Sequence, residues 1–246
     1  HKMEGMETPP TKISFKEQMH QARERAILQA ACDLLGAKSF DAMTMDDVAG
    51  KVGIAKASLY KHFGSKEELC SAAMVEVLSS AQTYLKSLDP ALPAVDKLRA
   101  VVRWSLERLL AQEMPLLPSR NSTLRSVLMA NKCYADGVIQ VSDIIGEWIT
   151  EAQAEGVIDT DLPPIVVLYT LYARACDPVV SFLKDSALYQ DAEIVDLVLR
   201  TCFELGVPVV ARGAGTGLSG GALPHTRGVL LSLARFNRIL KLDPLA

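Results

Sequence analysis

The stretch "TMDDVAGKVGIAKASLYKHFGSKEEL", Thr44 to Leu69, decides the fold because it places two short helices on either side of a glycine. Thr44 is a favourable N-cap, and Asp47 stands three residues later, as in a capping box with Asp in place of Glu. Gly53 ends the first short helix in a tight turn. The second is predicted from Ala55 to Phe63. Two short helices joined by a glycine turn are typical of a helix-turn-helix, although an ordinary helical corner has the same spacing.

Longer helices flank this stretch. Ser65 and Glu68 predict a capping box that opens the next helix. Before it, from Lys16 onward, the apolar residues recur every three or four positions and predict one long helix; they are Ala26, Ile27, Ala30, Ala31, Leu34 and Leu35. Residues 1–14 contain "TPPT" and little pattern, so a flexible leader is expected there. The predicted domain covers residues 15–64.

The charge of the same stretch favours nucleic-acid binding over a helical corner. No acidic residue occurs between Val48 and Lys66, although the whole chain has a net charge of −3. Ammonium, hydroxyl, phenol and imidazole groups suit phosphate and base-edge contacts. A solvated basic face remains the alternative. The overall acidity excludes a protein that coats nucleic acid by bulk charge, but it allows a local basic surface.

Arg23 to Leu69 resembles the DNA-binding domain of TetR/AcrR-type bacterial transcription regulators. The likeness rests on Thr44, "VA" at Val48–Ala49, "SLYKHF" and "SKEEL"; one departure is Ser39, where many members carry Gly. The resemblance implies DNA contacts from Thr44, Lys56, Ala57, Ser58, Tyr60, Lys61, His62 and Lys66. Of these, Tyr60, His62 and Lys66 would grip phosphates, and Lys56, Ala57, Ser58 and Lys61 would face base edges. Leu59 and Phe63 are expected in the core.

Residues 65–204 are predicted to be helical throughout, so the fold class is all-α. Prolines separate approximate helices at 66–87, 94–112, 120–132, 134–156, 162–184 and 190–204. By the same resemblance this part would be an effector-binding and dimerisation domain, in which the last two helices pair with those of a second copy. Candidate effector-pocket residues are Trp104, Met114, Met129, Tyr134, Trp148, Tyr169, Tyr172 and Arg174, with plain core packing as the alternative for each.

Arg174 is a charge inside an apolar helix and therefore needs a partner. The sequence allows three partners for Arg174: an acidic effector, Asp177, or an acid across the dimer.

From about Leu205 the composition becomes β-like. Short strands are predicted at Val207–Ala211 and Val229–Leu233, with the loop "ARGAGTGLSGGALP", Ala211 to Pro224, between them. Glycine-rich loops bring backbone N–H groups close to phosphate oxygens. The segment resembles part of the flavin-binding domain of glycolate-oxidase-type FAD-linked oxidases. Its FAD contacts would be Gly213, Ala214, Gly215, Thr216, Gly217, Ser219 and Gly220.

The tail, residues 205–246, is too short for a whole flavin domain of this type. It offers one loop and at most a hairpin, which is marginal on its own. We therefore expect a non-functional fragment, joined to a complete regulator between Val198 and Leu205, and no bound cofactor.

The cysteines, the histidines and the hydropathy indicate the redox state of the thiols and whether a metal site or a membrane span is expected. The five cysteines are scattered without a CxxC, and the four histidines do not cluster with them, so buried reduced thiols and no metal site are expected. No apolar run approaches the ~18 residues of a membrane span, and no signal peptide is evident.

The sequence predicts a homodimeric, cytoplasmic bacterial regulator, not an enzyme. It would repress from a palindromic operator and be released by a small-molecule effector. One alternative is a regulator or flavoprotein that binds FAD through the tail. Another is an interaction protein whose exposed strand pairs with a partner's sheet.

Overall fold

The computed structural model of the chain describes residues 14–38, 40–115, 123–204, 209–212 and 229–232. Over these ranges the chain forms ten helices and two short strands. The helices are α1 (Phe15–Ala37), α2 (Met45–Val52), α3 (Lys56–Leu59), α4 (Lys66–Ser87), α5 (Ala94–Leu110), α6 (Thr123–Ala130), α7 (Lys132–Ala154), α8 (Pro164–Arg174), α9 (Pro178–Asp185) and α10 (Asp191–Phe203). The strands are β1 (Val209–Arg212) and β2 (Val229–Ser232). The all-α prediction is confirmed. The predicted leader, up to residue 13, and Ser39 lie outside the described residues.

The predicted start and end of α2 are present. The Thr44 side chain accepts from the Asp47 amide, and the Asp47 carboxylate accepts from the Thr44 amide, which completes the capping box. Gly53 has φ 76°, the left-handed conformation that stops the helix at little steric cost. At α4 only half of the predicted box forms: the Ser65 side chain accepts from the Glu68 amide, whereas the Glu68 carboxylate accepts from the Gly64 amide.

The second helix of the motif is shorter than predicted. Only Lys56–Leu59 is α-helical. The amides of Lys61 and His62 donate to carbonyls three residues back, so the chain tightens into turns before Phe63. The expected helix over Ala55–Phe63 is thus one α-helical turn with a tighter continuation.

One apolar core holds the N-terminal helices together. It is built from α1, α2, α3 and the first half of α4, and Leu124 and Leu128 of α6 complete it. Leu59 and Phe63 are buried in it, as expected, and they fix the orientation of the segment between them. The core therefore extends past residue 64 into helices of the second domain.

Two further cores lie in the second domain. The first joins α4, α5, α7 and α8 through residues such as Leu98, Ile145 and Leu168. The second joins α5, α9 and α10 through residues such as Leu106, Val180 and Ile194. Helix α4 contributes to both the N-terminal core and the α4–α5–α7–α8 core, so it is the rigid connection between the two domains.

The predicted long helix over 162–184 is two helices. Asp177 caps α9 by accepting from the Val179 amide, and Pro178 takes the first helical position, where its missing N–H costs nothing. The chain therefore breaks between Arg174 and Pro178.

By length and composition alone, the segment Pro164–Asp185 is apolar enough to cross a membrane. Its 22 residues contain an 18-residue window of mean hydropathy 1.3, of which 22% is buried. This differs from the expectation that no apolar run approaches that length. One such segment is weak evidence for a membrane, because an apolar helix of a soluble fold can meet the same criteria.

The two strands of the tail pair in parallel, with Val209 opposite Val229 and Arg212 opposite Ser232. The prediction of a hairpin is therefore wrong. A hairpin needs antiparallel strands, whereas a parallel pair needs a crossover of a dozen or more residues, and residues 213–228 are long enough for one.

The expectation of buried thiols is confirmed for two of the five cysteines. Cys32 and Cys70 are buried between α1 and α4, and burial raises the pKa of each thiol to about 12. Cys176 and Cys202 are half-buried. Cys133 is exposed, so the expectation is wrong for that residue.

Candidate functional site

The segment from Ala55 to Phe63 presents polar side chains on a firmly anchored backbone. Its side chains at Lys56, Ala57, Tyr60 and Lys61 are exposed, and Ser58 is half-buried. Leu59 between them is fully buried. With Leu59 buried, three of the four residues predicted to face base edges are exposed to solvent.

Acids from outside the segment approach its lysines in space. The Lys56 ammonium lies 2.7 Å from the Asp46 carboxylate, and Lys51 lies 2.9 Å from Asp33. The hydrogen bond to Asp46 raises the pKa of Lys56. No acid of the described residues lies within 4 Å of the Lys61 ammonium. The Lys61 ammonium can therefore bind DNA without first breaking an ion pair to a described acid, whereas Lys56 must break its ion pair with Asp46 to reach a base.

Thr44 and Lys66 have structural contacts of their own. The Thr44 hydroxyl donates to Asp47 at 2.9 Å. The Lys66 ammonium donates to the carbonyls of Phe40 and Met43 at 3.0 and 3.1 Å, and it lies 4.2 Å from the centre of the Phe40 ring. Lys66 thus holds the α1–α2 connection, and it keeps one N–H for an outside acceptor.

His62 turns towards α1. Its ring meets that of His20 edge-on, with 4.6 Å between the centroids. Its Nδ1 is screened from solvent and has no hydrogen-bond partner among the described residues. Sequence reasoning missed this contact because the two histidines are far apart in the chain.

Three of the predicted effector-pocket residues lie together between α7 and α8. The Tyr172 and Ser142 hydroxyls are 2.8 Å apart, and the Tyr169 and Tyr172 rings are in edge-on contact at 6.4 Å. Burial raises the pKa of Tyr134 and of Tyr172, and Tyr172 is close enough to Tyr134 and Tyr169 to interact with them electrostatically. These residues, Tyr134, Ser142, Tyr169 and Tyr172, are called the tyrosine cluster below.

The other predicted pocket residues lie elsewhere. Trp104 stacks on Tyr84 at 5.4 Å, and the Arg108 guanidinium lies over the Trp104 ring at 4.8 Å. Trp148 packs on the α4–α5–α7–α8 core, and Met114 is buried near the end of α5. Met129 is 63% exposed, because the apolar face of α6 is formed by Leu124 and Leu128.

The partner of Arg174 is Asp177, one of the three left open by the sequence. Both residues are buried, at 8% and 3% exposure, and their side chains form an ion pair. Cys202 of α10 is close enough for both to influence its pKa, which burial raises. The pair lies at the junction of α8, α9 and α10.

The predicted FAD contacts, Gly213 to Gly220, lie outside the described residues. The structure shows only the strands on either side of that loop.

A short capped helix, a glycine turn and an anchored polar segment form a helix-turn-helix motif on an all-helical body. Residues 27–73 match the family of bacterial regulatory proteins called the tetR family. The chain therefore carries a TetR-family N-terminal DNA-binding domain. The uncharacterized HTH-type transcriptional regulator YdeS of Bacillus subtilis is 44% identical over 69 residues, which are 28% of this chain and 33% of that protein.

Solved structures support the same fold beyond the N-terminal domain. The fatty acid degradation regulator FadR from Bacillus halodurans superposes with a TM-score of 0.59 at 15% identity, covering 74% of this chain and 95% of that one. AibR, solved with isovaleryl coenzyme A and operator DNA, gives 0.53 at 20% identity, covering 74% and 98%. At these identities the likeness shows the fold alone.

The C-terminal part is similar to a different kind of protein. Residues 187–246 match a family described as an FAD binding domain. The glycolate oxidase subunit GlcD of Escherichia coli K12 is 43% identical over 89 residues, which are 34% of this chain and 18% of that subunit. The match begins before Leu205, where the sequence alone placed it, and it includes α10.

Proposed function

We propose that the chain is a dimeric repressor that reads an inverted-repeat operator and releases it when a small molecule binds. The observation that carries the proposal is the segment between the buried Leu59 and Phe63, which presents Tyr60 and Lys61 to solvent. Lys56, Ala57, Ser58 and Lys61 would read base edges, and Tyr60 would hold a phosphate. Such a repressor would act in the bacterial cytoplasm.

The dimer would form through the apolar face of α8 and α9. Ile165, Tyr169 and Phe182 are among the exposed large apolar residues of the chain, and the first two lie one helical turn apart. This face would pair with its copy about a two-fold axis, as isologous interfaces do. Two recognition segments could then reach half-sites about 34–36 Å apart.

The effector would bind beside the tyrosine cluster, between α7 and α8. FadR from Bacillus subtilis was solved with stearoyl-CoA, and AibR with isovaleryl coenzyme A. Acyl-CoA thioesters are therefore the first class to test, followed by 2-hydroxy acids, because the tail is similar to a glycolate oxidase subunit.

Helix α4 would carry the signal. Its first half packs in the N-terminal core and Leu85, near its end, packs against α5, α7 and α8. A ligand that spreads α7 from α8 and prefers that arrangement would tilt α4 and change the spacing of the two recognition segments. A coupling of about 1–3 kcal/mol would change operator affinity by about 5–150-fold.

The test is selection of random duplex DNA by the full chain and by residues 1–204. The proposal expects both to enrich one inverted repeat. On that repeat, Tyr60→Ala should weaken binding to all sequences because a phosphate contact is lost, and Lys61→Ala should relax the sequence preference because Lys61 is assigned to a base edge. Lys86→Ala, an exposed lysine at the end of α4, is the matched control and should bind as the parent does.

Lys66→Ala should also weaken binding to all sequences, but it removes the bonds to Phe40 and Met43 as well. The phosphate contact is therefore judged from Tyr60→Ala. Failure of the folded, dimeric chain to enrich any sequence would contradict the proposal.

A second candidate function, FAD binding by the tail, is favoured by the match of residues 187–246 to an FAD binding domain. The backbone N–H groups of Gly213 to Gly220 would then hold the pyrophosphate. Purified protein should be yellow, or become so with added FAD and keep the colour through gel filtration. Protein that stays colourless after incubation with FAD would eliminate this candidate.

A further inference from the structure

We propose that His20, Glu24 and His62 form a binding site for a divalent transition-metal ion of the zinc class, which links α1 to the segment after α3. The three residues each offer one ligand atom, and these atoms all lie within 4.8 Å of one another. No metal site was expected, because the histidines and cysteines are not close to one another along the chain. The fold instead places two of the four histidines of the chain beside one carboxylate.

The local structure explains why these residues meet. His20 and Glu24 are one turn apart on α1, so both side chains leave the same face of the helix. His62 reaches that face from the turn after α3, because Leu59 and Phe63 on either side of it are buried in the N-terminal core. The two histidine rings lie edge-on, at 78° to each other.

The spacing suits a metal ion better than direct contact between the groups. His20 Nδ1 and the Glu24 carboxylate are 4.0 Å apart, which is too long for a hydrogen bond. Zinc bonds of about 2.0–2.2 Å in tetrahedral geometry hold ligand atoms about 3.3 Å apart. His20 is exposed and Glu24 is half-buried, so small side-chain rotations can close the remaining gap.

The donor set agrees with that class of metal. Imidazole nitrogens suit zinc, copper, iron and nickel, and one carboxylate oxygen beside them is a common third ligand. The solvent-screened Nδ1 of His62 has no hydrogen-bond partner among the described residues, so a metal bond to this ring would cost no existing hydrogen bond at that atom. Three protein ligands leave a fourth position for water.

A bound ion would pin the backbone of Tyr60–Phe63 to α1. It would also change the local charge from that of one carboxylate to a net positive value, on the side of the domain that carries Lys61. The proposal concerns metal binding itself and does not depend on whether the chain binds DNA.

The experiment is calorimetric titration of the full chain with zinc chloride, together with the absorption spectrum of the cobalt(II) form. We expect a site whose affinity falls in His20→Gln and in Glu24→Gln by more than the roughly 10–100-fold that loss of an outer-shell partner costs. The cobalt spectrum should show nitrogen and oxygen ligation without a thiolate charge-transfer band. Zinc should also slow amide hydrogen exchange in residues 16–24 and 60–63, and leave 191–203 unchanged.

Two control variants separate this site from other ligands. His225→Gln makes the same chemical change as His20→Gln at a histidine that is not one of the three proposed ligands, and Cys133→Ser removes the exposed thiol. Both should bind zinc as the parent does. The proposal is overturned if His20→Gln and Glu24→Gln keep the parent affinity, or if Cys133→Ser is the variant that loses the ion.

Discussion

At the scale of single residues, neighbours in space decide what a charged side chain can do. Lys56 and Lys61 stand five positions apart in a stretch without acids, yet Asp46 holds Lys56 while Lys61 has no acid of the described residues nearby. Arg174 shows the same point in the interior, where Asp177 satisfies a charge that the sequence left open between three partners.

Asp177→Asn tests the buried pair. The change removes the carboxylate charge that pairs with the buried Arg174 guanidinium, so we expect a loss of about 3–5 kcal/mol in the free energy of unfolding, measured by urea denaturation. The matched control is Asp196→Asn, which breaks the exposed 2.7 Å pair with Arg103 and should cost at most about 1 kcal/mol. Equal losses in the two variants would show that the burial of the Arg174 pair does not matter.

At the scale of elements, the helices meet at positions where a small residue permits close approach. An added Cβ at Gly36, in the last turn of α1, would lie 2.2 Å from the Gln112 carbonyl oxygen in the turn after α5. Backbone cannot move away as a flexible side chain can. Gly36 is therefore one point where the N-terminal domain contacts the second domain.

Gly36→Ala should lower the free energy of unfolding by about 1–3 kcal/mol, because the clash displaces either α1 or the turn after α5. Gly146→Ala in α7 is the control, since nothing lies within 4 Å of its added Cβ. There alanine should be neutral or stabilising by up to about 1 kcal/mol, through its better helix propensity. Thermal or urea unfolding compares the two, and an undiminished stability of Gly36→Ala would mean that the contact yields easily.

The packing of helix α10 and its sequence match point to two different domains. By packing it belongs to the helical domain, since Ile194, Val195 and Val198 are buried against α5 and α9. By sequence it begins a region that matches an FAD binding domain. An amphipathic helix followed by an apolar strand is compatible with the helical domain and with the FAD binding domain. The apolar residues of such a helix recur with the same period in either fold.

At the scale of the whole molecule, the exposed apolar face of α8 and α9 bears on assembly. Ile165→Glu should turn a dimer into a monomer, seen by light scattering after gel filtration, because it buries a carboxylate at the proposed interface. Affinity for an inverted repeat should then fall by more than about 100-fold, since the second half-site no longer binds intramolecularly. Leu92→Glu, an exposed apolar residue between α4 and α5, should remain dimeric. A dimeric Ile165→Glu protein would place the interface elsewhere.

The sequence by itself determined α2, since the caps of this helix are local: Thr44, Asp47 and Gly53 act within a few residues of themselves. It also determined the all-α class, because the apolar period of a helix is written along one segment. The apolar pattern did not predict the short α3, the break at Asp177 or the parallel direction of β2. Each of these depends on strand pairing or on hydrogen bonds that the pattern does not contain.

Only the tertiary structure decided which side chains meet. Asp46 reaches Lys56 and Asp33 reaches Lys51 from outside the stretch without acids. His20 and His62 meet across 42 positions because α1 and the turn after α3 bury their apolar faces in one core. The physical reason is that burial of Leu59 and Phe63 sets the direction of every side chain between them, and no local pattern contains the position of the opposite helix.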